Sequence, residues 1–136
     1  MCIRDRGYLV AVPVPEGMLP LAASDGEMKF VSAGEPEHSI RINVKEIPPE
    51  YSFSETLGGV KGRGWRILHR EYGTKEGRRT LEMKAVMGER WLRAVYVRDG
   101  DALIRMVEEP HRPAAVGTAF NGMLRGLRLM TKAGYE

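Results

Sequence analysis

The side chains best suited to catalysis or metal binding are scattered along this sequence. Its three histidines, His38, His69 and His111, lie far apart, and none has the H-E-x-x-H or H-x-x-x-H type of spacing that presents two ligands to one metal ion. No serine lies in the G-x-S-x-G turn that exposes the nucleophile of many hydrolases. We therefore expect surface or loop histidines, no metal site and no cofactor.

Carboxylates offer a second route to catalysis. Glu55, Glu71, Glu82 and Glu89 could pair across strands for acid–base chemistry, but nothing around them in the sequence indicates burial. Solvated carboxylates are the interpretation we favour, and no residue is predicted to be catalytic. A hydrolase or isomerase with an unrecognised site stays open as an alternative.

A basic segment, residues 61–79, is the feature that most suggests a binding function. It holds seven cations against Glu71 and Glu76: Lys61, Arg63, Arg66, Arg70, Lys75, Arg78 and Arg79. Such a segment could dock the phosphates of nucleic acid or lipid headgroups, or an acidic protein surface, and Trp65 and Tyr72 could stack on bases. The candidate binding residues are Lys61, Arg63, Arg66, Arg70, Arg78 and Arg79. A solvated face is the interpretation we favour for the segment, because Trp65 and Ile67 have core-facing spacing and glutamates elsewhere can pair with the arginines, and the anionic-partner site stays open beside it.

Phosphate binding by the glycines of residues 58–64 is disfavoured by their context. A phosphate-binding P-loop lies between a strand and a following helix, whereas here a helix is predicted before the glycines and a strand after them. We expect a flexible connection.

Composition indicates one ordinary globular domain. The chain has 136 residues, of which 43% are hydrophobic and 29% are charged, and this is enough to bury one core. No apolar run approaches the roughly 18 residues typical of a membrane span. We expect a soluble domain, and the partner itself cannot be identified from composition.

Strands dominate the predicted secondary structure. Strands are expected at residues 8–14, 28–32 and 40–45, with a turn-like stretch at 19–26, and the last of these strands shows clear period-two alternation. Ser52 and Glu55 fit a capping box that begins a short helix ending at Gly58-Gly59. Four further strands within residues 65–107 form an antiparallel meander, in which Asp99-Gly100 is expected to make a type I′ turn.

A C-terminal amphipathic helix is predicted to pack on this sheet. Its apolar residues recur at helical spacing: Val116, Ala119, Phe120, Met123, Leu124 and Leu127. Glycines at 117, 122 and 126 each cost about 1 kcal/mol in a helix interior, so either the helix packs very closely there or its ends fray, and we favour close packing. The fold class is therefore α+β, an antiparallel sheet of six or seven strands with two helices.

The first six residues, Met1 to Arg6, match a translation of the transposase mosaic-end adapter used in sequencing libraries. We therefore expect residues 1–6 to be an artefact, 7–130 to be one domain and 131–136 to be a flexible tail. Without two adapter arginines and one aspartate, the net charge falls from +3 to +2. The native start, and with it any export signal, would lie upstream.

The order β-β-β-α-β-β-β-β-α resembles the PsbP-like domain and the related DcrB-like bacterial lipoproteins over most of residues 7–130. The residues that carry the resemblance are two stretches, Val12-Pro13-Val14-Pro15-Glu16-Gly17-Met18 and Ala119-Phe120-Asn121-Gly122-Met123-Leu124. Met18 stands where family members commonly have tryptophan. The resemblance implies an α/β/α sandwich and, in bacteria, often an extracytoplasmic domain that binds or scaffolds without catalysis. It assigns no functional residue.

Overall fold

The computed structural model describes residues 2–5, 8–14, 16–21, 27–34, 37–109 and 118–130. Within these ranges the chain forms two helices, α1 (Phe53–Gly62) and α2 (Thr118–Gly126). The strands, in chain order, are β1 (Cys2–Asp5), β2 (Tyr8–Ala11), β3 (Met18–Leu21), β4 (Glu27–Ser32), β5 (Ser39–Glu46), β6 (Arg66–Lys75), β7 (Arg78–Met87), β8 (Arg90–Asp99), β9 (Ala102–Glu109) and β10 (Arg128–Met130).

Seven strands form one antiparallel sheet in the order β3-β4-β5-β9-β8-β7-β6. The meander β6 to β9 joins the N-terminal strands through the pairing of β5 with β9, in which Asn43 lies opposite Arg105 and Ile42 opposite Met106. Because side chains alternate between the faces of a strand, this register places Asn43 and Arg105 on one face and Ile42 and Met106 on the other. The predicted α+β class with an antiparallel sheet is confirmed.

Each face of the sheet carries its own hydrophobic core. On one face, Phe120 and Met123 of α2 are fully buried against residues such as Phe30, Ile42 and Ile104. On the other, α1 covers Leu81, Met83 and Tyr96, among others, with its buried residues Leu57 and Val60. The predicted packing of the C-terminal helix on the sheet is confirmed. The two covered faces make the domain an α/β/α sandwich.

A separate three-stranded sheet has the order β1-β2-β10. Its β2 pairs with β1 on one side, from Cys2 opposite Ala11 to Asp5 opposite Tyr8, and with β10 on the other. Backbone pairing of this kind does not depend on the origin of the residues, so the assignment of residues 1–6 to an adapter stays a prediction. Residues 131–136 lie outside the described residues.

The predicted turn-like stretch at residues 19–26 is partly wrong, because Met18–Leu21 forms β3 at the edge of the large sheet. Pro20 made this strand hard to predict, since proline is confined to edge positions in sheets. Residues 22–26 lie outside the described ranges. Residues 12–14, which were expected to extend the first strand, follow the end of β2.

Helix α1 begins after Ser52 as predicted but continues past Gly58-Gly59 to Gly62. The burial of Val60 anchors the extra turn, and Gly64, with φ +95, provides the left-handed residue that follows the helix end. The capping box does not form, because the Ser52 hydroxyl is hydrogen-bonded to the Ser54 hydroxyl at 2.7 Å and makes no bond to the backbone of the first turn.

The three hairpins of the meander have two-residue loops, and their turn geometry differs from the prediction. At the loop Gly100-Asp101 only Gly100 has a positive φ, which is the sign pattern of a type II′ turn. Both residues of the loop Glu76-Gly77 have positive φ, 52 and 80, as a type I′ turn requires. The expected type I′ turn at Asp99-Gly100 is therefore wrong, and that geometry occurs at Glu76-Gly77.

In the part of the chain that the structure describes, neither helix has the length and apolar character needed to cross a membrane.

Candidate functional site

The basic segment does not form a single patch in the structure. Lys61 is near the end of α1 and Arg63 directly follows the helix. By strand register, Arg70 and Arg79 lie on the sheet face that α1 covers, and Arg66 and Arg78 lie on the opposite face. The six candidate residues are thus spread along the β6–β7 hairpin and the end of α1, and they do not share one face of the sheet. Whether they bind an anion stays a prediction.

Part of this basic segment is already engaged within the protein. Arg78 contacts Asp99 through Nε at 3.3 Å and Glu76 through Nη1 at 3.6 Å. The ring of Trp65 is half-buried beneath the guanidinium of Arg90, with Cζ 5.0 Å from its centroid, whereas Tyr72 is 56% exposed. Of the two aromatic residues considered for stacking on bases, Tyr72 is the accessible one.

A groove beside α1 is the concave feature that best suits a ligand among those the described residues form. It has a volume of about 550 Å³ and runs between α1 and the strands β5 and β9, and a recess of about 180 Å³ adjoins it. Arg63, Tyr96 and Arg105 line both spaces. The volume lies in the range of small-molecule sites in proteins, roughly 300 to 1,000 Å³. We call these two spaces together the α1 groove.

The polar floor of the α1 groove follows from strand alternation. Arg41 and Asn43 lie between the buried Ile40, Ile42 and Val44 of β5, so their side chains occupy the opposite face from that core. Arg105 is in the same position on β9, between Ile104 and Met106. Because α1 covers only part of this face, these polar side chains remain accessible beside it.

Basic side chains outnumber acidic ones in the α1 groove. Its cations are Arg41, Lys45, Arg63, Arg90 and Arg105, and its carboxylates are Glu46, Glu55 and Glu109. Arg90 contacts Glu109 through Nη2 at 2.5 Å and Nε at 2.7 Å, and Arg105 Nε donates to Asn43 Oδ1 at 3.2 Å. Within the described ranges, Arg41 and Arg63 make no ion pair. Among the described residues, no carboxylate therefore competes with an anion for these two guanidinium groups.

Two tyrosines complete the walls of the groove. Burial raises the pKa of Tyr96, and the nearby guanidinium groups of Arg105 and Arg63 partly oppose this shift. The hydroxyl of Tyr51 is hydrogen-bonded to that of Thr56, and burial raises the pKa of Tyr51 as well. Both phenols are therefore neutral at physiological pH and can donate a hydrogen bond to a bound anion.

The start of α1 is fixed by Arg98. Its Nη1 donates to the carbonyl oxygen of Tyr51 at 2.5 Å, and its guanidinium Cζ lies 5.5 Å from the centroid of the Tyr51 ring. This contact holds one wall of the groove against β8.

The described residues of the groove can hold an anionic group, but they offer no nucleophile beside a base. Its hydroxyl groups belong to Thr56, Tyr51 and Tyr96, and no histidine lines it. Elsewhere in the described ranges, no three His, Cys, Asp or Glu side chains converge as a metal site would require. What the arrangement can do chemically is hold an anionic group with guanidinium and phenol donors.

Two of the three histidines fall within the described ranges. His69 is exposed and has Nε2 3.6 Å from Glu71, as a surface histidine would. His38 is hydrogen-bonded through Nε2 to Glu108 at 2.8 Å, and Glu108 is buried. His111 lies outside the described residues. The burial of Glu108 was not predicted from the sequence. The one sign of it was the pair of apolar neighbours, Met106 and Val107.

Of the four carboxylates considered for catalysis, three are exposed as expected: Glu55, Glu71 and Glu89. The fourth, Glu82, is partly buried and is held by Arg93 through Nε at 2.9 Å and Nη2 at 2.8 Å.

No protein-family model matches the sequence, and no curated protein is similar enough to it to count as a relative. Solved structures do match. PsbP (CyanoP) from Synechocystis sp. PCC 6803 superposes with a TM-score of 0.62 at 17% identity, over 96% of this chain and 92% of that one. LpqN of Mycobacterium tuberculosis, which is described as involved in cell envelope biogenesis, gives a TM-score of 0.70 at 13% identity, over 93% and 86%. A Pseudomonas aeruginosa protein of unknown function gives 0.51 at 14%, over 84% and 83%.

These likenesses define the class of protein as an α+β sandwich built on one antiparallel sheet. The fold is PsbP-like, in agreement with the resemblance seen in the sequence. At these identities the superpositions concern the fold and not the site. The function must therefore be argued from the groove and the surface of this chain.

Proposed function

We propose that this chain is a non-catalytic binding domain that holds the anionic group of a small ligand in the α1 groove. The observation that carries the proposal is the position of Arg63 and Arg105 close to Tyr96 in the groove, where the phenol of Tyr96 is neutral. Guanidinium groups suit carboxylate and phosphate because their planar donors match both.

The walls of the groove indicate what else the ligand contains. Ile47, Pro48 and Leu103 line it beside the rings of Tyr51 and Tyr96, so an apolar or aromatic body could lie against them. A ligand that joins an anionic head to a small apolar body would use both kinds of wall. This combination is typical of ligand sites, which are largely apolar with a few placed polar groups.

The test is an amide NMR titration with three probes, namely phenyl phosphate, inorganic phosphate and benzyl alcohol. We expect phenyl phosphate to shift the amides of Asn43, Gly59 and Leu103, inorganic phosphate to do so more weakly, and benzyl alcohol to leave them in place. The double variant Arg63→Gln/Arg105→Gln should weaken phenyl phosphate binding by about tenfold or more, since hydrogen bonds to charged groups contribute about 1.5 to 3 kcal/mol each.

The matched control is Arg66→Gln/Arg79→Gln, which removes the same charge from exposed positions outside the groove. It should bind phenyl phosphate as the wild type does. Equal weakening by both double variants would show that overall charge governs binding, and shifts confined to residues remote from α1 would place the ligand elsewhere. Either result contradicts the proposal.

We further propose that the domain acts outside the cytoplasm and that residues 1–6 are not native. The description of LpqN as involved in cell envelope biogenesis supports the first part, and the adapter match of Met1 to Arg6 supports the second. Sequencing the source DNA upstream of the Gly7 codon tests both. We expect the source DNA to encode other residues in place of Met1 to Arg6 and, further upstream, an export signal. Genomic codons for Met1 to Arg6 would refute the adapter assignment.

A further inference from the structure

Strand β6, which lies within the basic segment, forms an exposed edge of the large sheet. It is ten residues long, pairs with β7, and has no other neighbour among the described residues. All of its residues except Ile67 and Lys75 are exposed. A long edge with unpaired backbone groups is a template for another strand.

The register of the β6–β7 hairpin identifies which backbone groups are free. The two-residue loop makes Lys75 and Arg78 a hydrogen-bonded pair. Because hydrogen-bonded and non-hydrogen-bonded pairs alternate along an antiparallel ladder, the N–H and C=O groups of Arg70, Tyr72 and Thr74 point away from β7. An added strand needs such groups at every second residue.

The bulge between Ile67 and His69 limits how far a partner can pair. It shifts the register of β6 against β7 at that point, and bulges interrupt the regular ladder at sheet edges. The regular part of the edge therefore runs from His69 to Lys75, and its outward backbone groups begin at Arg70.

The charge at this edge favours an acidic partner. Arg70 and Arg79 lie on the α1 face, and Arg66 and Lys75 lie on the other face. Basic side chains therefore lie on both faces of the sheet at this edge. This arrangement suits strand addition, because the side chains of an added strand project alternately to both faces. Glu71 is the carboxylate of β6 itself, and Glu76 already contacts Arg78 and Arg128 at 3.6 Å.

The same charge disfavours a second copy of this chain. Two β6 edges would bring rows of cations together, and like charges directly opposite each other are destabilising. We infer that the β6 edge, from Arg70 to Lys75, binds an extended acidic segment of a partner protein by strand addition. Main-chain hydrogen bonds to Tyr72 and Thr74 would set its register, and Arg70 and Arg79 would select acidic residues at alternate positions.

The probe is a peptide of alternating glutamate and valine as long as β6. Two control peptides accompany it. The first has lysine in place of glutamate, and the second keeps the glutamate sequence but has a methyl group on the backbone nitrogen of every second residue. We expect the glutamate peptide to bind and to slow hydrogen exchange at the amides of Tyr72 and Thr74. The lysine and N-methylated peptides should bind at least about tenfold more weakly, since the first loses charge pairing and the second several ladder bonds.

A matched pair of variants tests the backbone directly. Thr74→Pro removes an outward N–H at an edge position where proline is tolerated, whereas Thr74→Ala keeps it. We expect Thr74→Ala to bind like the wild type and Thr74→Pro to bind about fivefold or more weakly, with both variants showing cooperative unfolding. The inference is wrong if no peptide binds, if the N-methylated or lysine peptide binds equally well, or if Tyr72 and Thr74 gain no protection.

Discussion

Gly126, at the end of α2, lies directly against the ring of Pro13. A Cβ atom added at Gly126 would be 2.6 Å from both Cδ and Cγ of Pro13, which is closer than carbon atoms can approach without displacement. Pro13 follows β2, and Gly126 precedes β10, its partner in the small sheet. The absence of a side chain at Gly126 is what allows the helix end to approach the chain after β2.

Gly126→Ala is therefore expected to destabilise the protein by about 1 to 3 kcal/mol, because overpacking costs more than the helix gains from alanine. The control is Gly122→Ala in the same helix, where an added Cβ would meet no atom within 4 Å. This second change should stabilise by about 0.5 to 1 kcal/mol. Urea unfolding curves measure both, and a stabilising Gly126→Ala would contradict the observed packing.

The three glycines of the predicted C-terminal helix show what the sequence can and cannot predict. Close packing was predicted for residues 117, 122 and 126 alike, and it is confirmed at Gly126 but wrong at Gly122, while residue 117 lies outside the described ranges. Helical spacing identified the buried Phe120 and Met123, since it depends on local periodicity. The approach of Pro13 depends on a contact across more than a hundred residues, which no local pattern encodes.

Arg93 joins the sheet to α2. Besides its two contacts with Glu82, its Nη1 donates to Asn121 Oδ1 at 2.6 Å, and its Cζ lies 4.5 Å from the centroid of Phe120. The Arg93 side chain is only 12% exposed, so its removal would leave the partly buried Glu82 without its partner. Arg93→Ala should cost about 2 to 4 kcal/mol in the free energy of unfolding.

Arg90→Ala provides the comparison. Arg90 also contacts a carboxylate, Glu109, and an aromatic ring, but its side chain is 58% exposed. Exposed ion pairs contribute little, so this change should cost about 1 kcal/mol or less. Equal losses for the two variants in chemical denaturation would mean that burial does not decide the strength of these contacts.

The hairpin loop Glu76-Gly77 contains a strained residue. Glu76 has φ 52, a left-handed conformation that costs most non-glycine residues roughly 1 to 2 kcal/mol. Asparagine tolerates this conformation and is favoured at the first position of a type I′ turn, so Glu76→Asn should stabilise by about 0.5 to 1 kcal/mol. The contacts of Glu76 with Arg78 and Arg128 are long and subtract little.

Glu89→Asn in the neighbouring loop is the matched control, because Gly88 there has the positive φ and Glu89 does not. We expect its melting temperature to stay close to that of the wild type. A similar rise for both variants would indicate that loss of a carboxylate, rather than relief of backbone strain, stabilises the hairpins.

The α1 groove itself could not be predicted from the sequence. Alternation in β5 showed that Arg41 and Asn43 lie on a polar face, but the cross-strand register places Asn43 opposite Arg105, sixty-two residues later. Charge density instead drew attention to residues 61–79, of which Arg63 and Trp65 line the groove and Arg63 is the one cation. Local charge counts detect clusters along the chain, whereas sites are assembled across strands.

Tyr96 predicts how stability depends on alkaline pH. Burial raises its pKa above the ordinary value of 10.0, despite the opposing charges of Arg105 and Arg63. The folded protein therefore holds the hydroxyl proton more tightly than the unfolded chain does. The stabilisation is complete below the unfolded pKa and is lost as the pH rises through the folded pKa. Tyr51 acts in the same direction.

The free energy of unfolding should accordingly fall as the pH is raised beyond 10.0, and Tyr96→Phe should make this decline shallower because phenylalanine has no proton to lose. Tyr72→Phe, at a ring that is 56% exposed, is the control and should keep the decline of the wild type. Urea unfolding at a series of alkaline pH values measures the three slopes. If Tyr96→Phe and the wild type declined equally, the phenol of Tyr96 would have to be as well solvated in the groove as in the unfolded chain, and it could no longer be counted as a buried neutral donor for an anion.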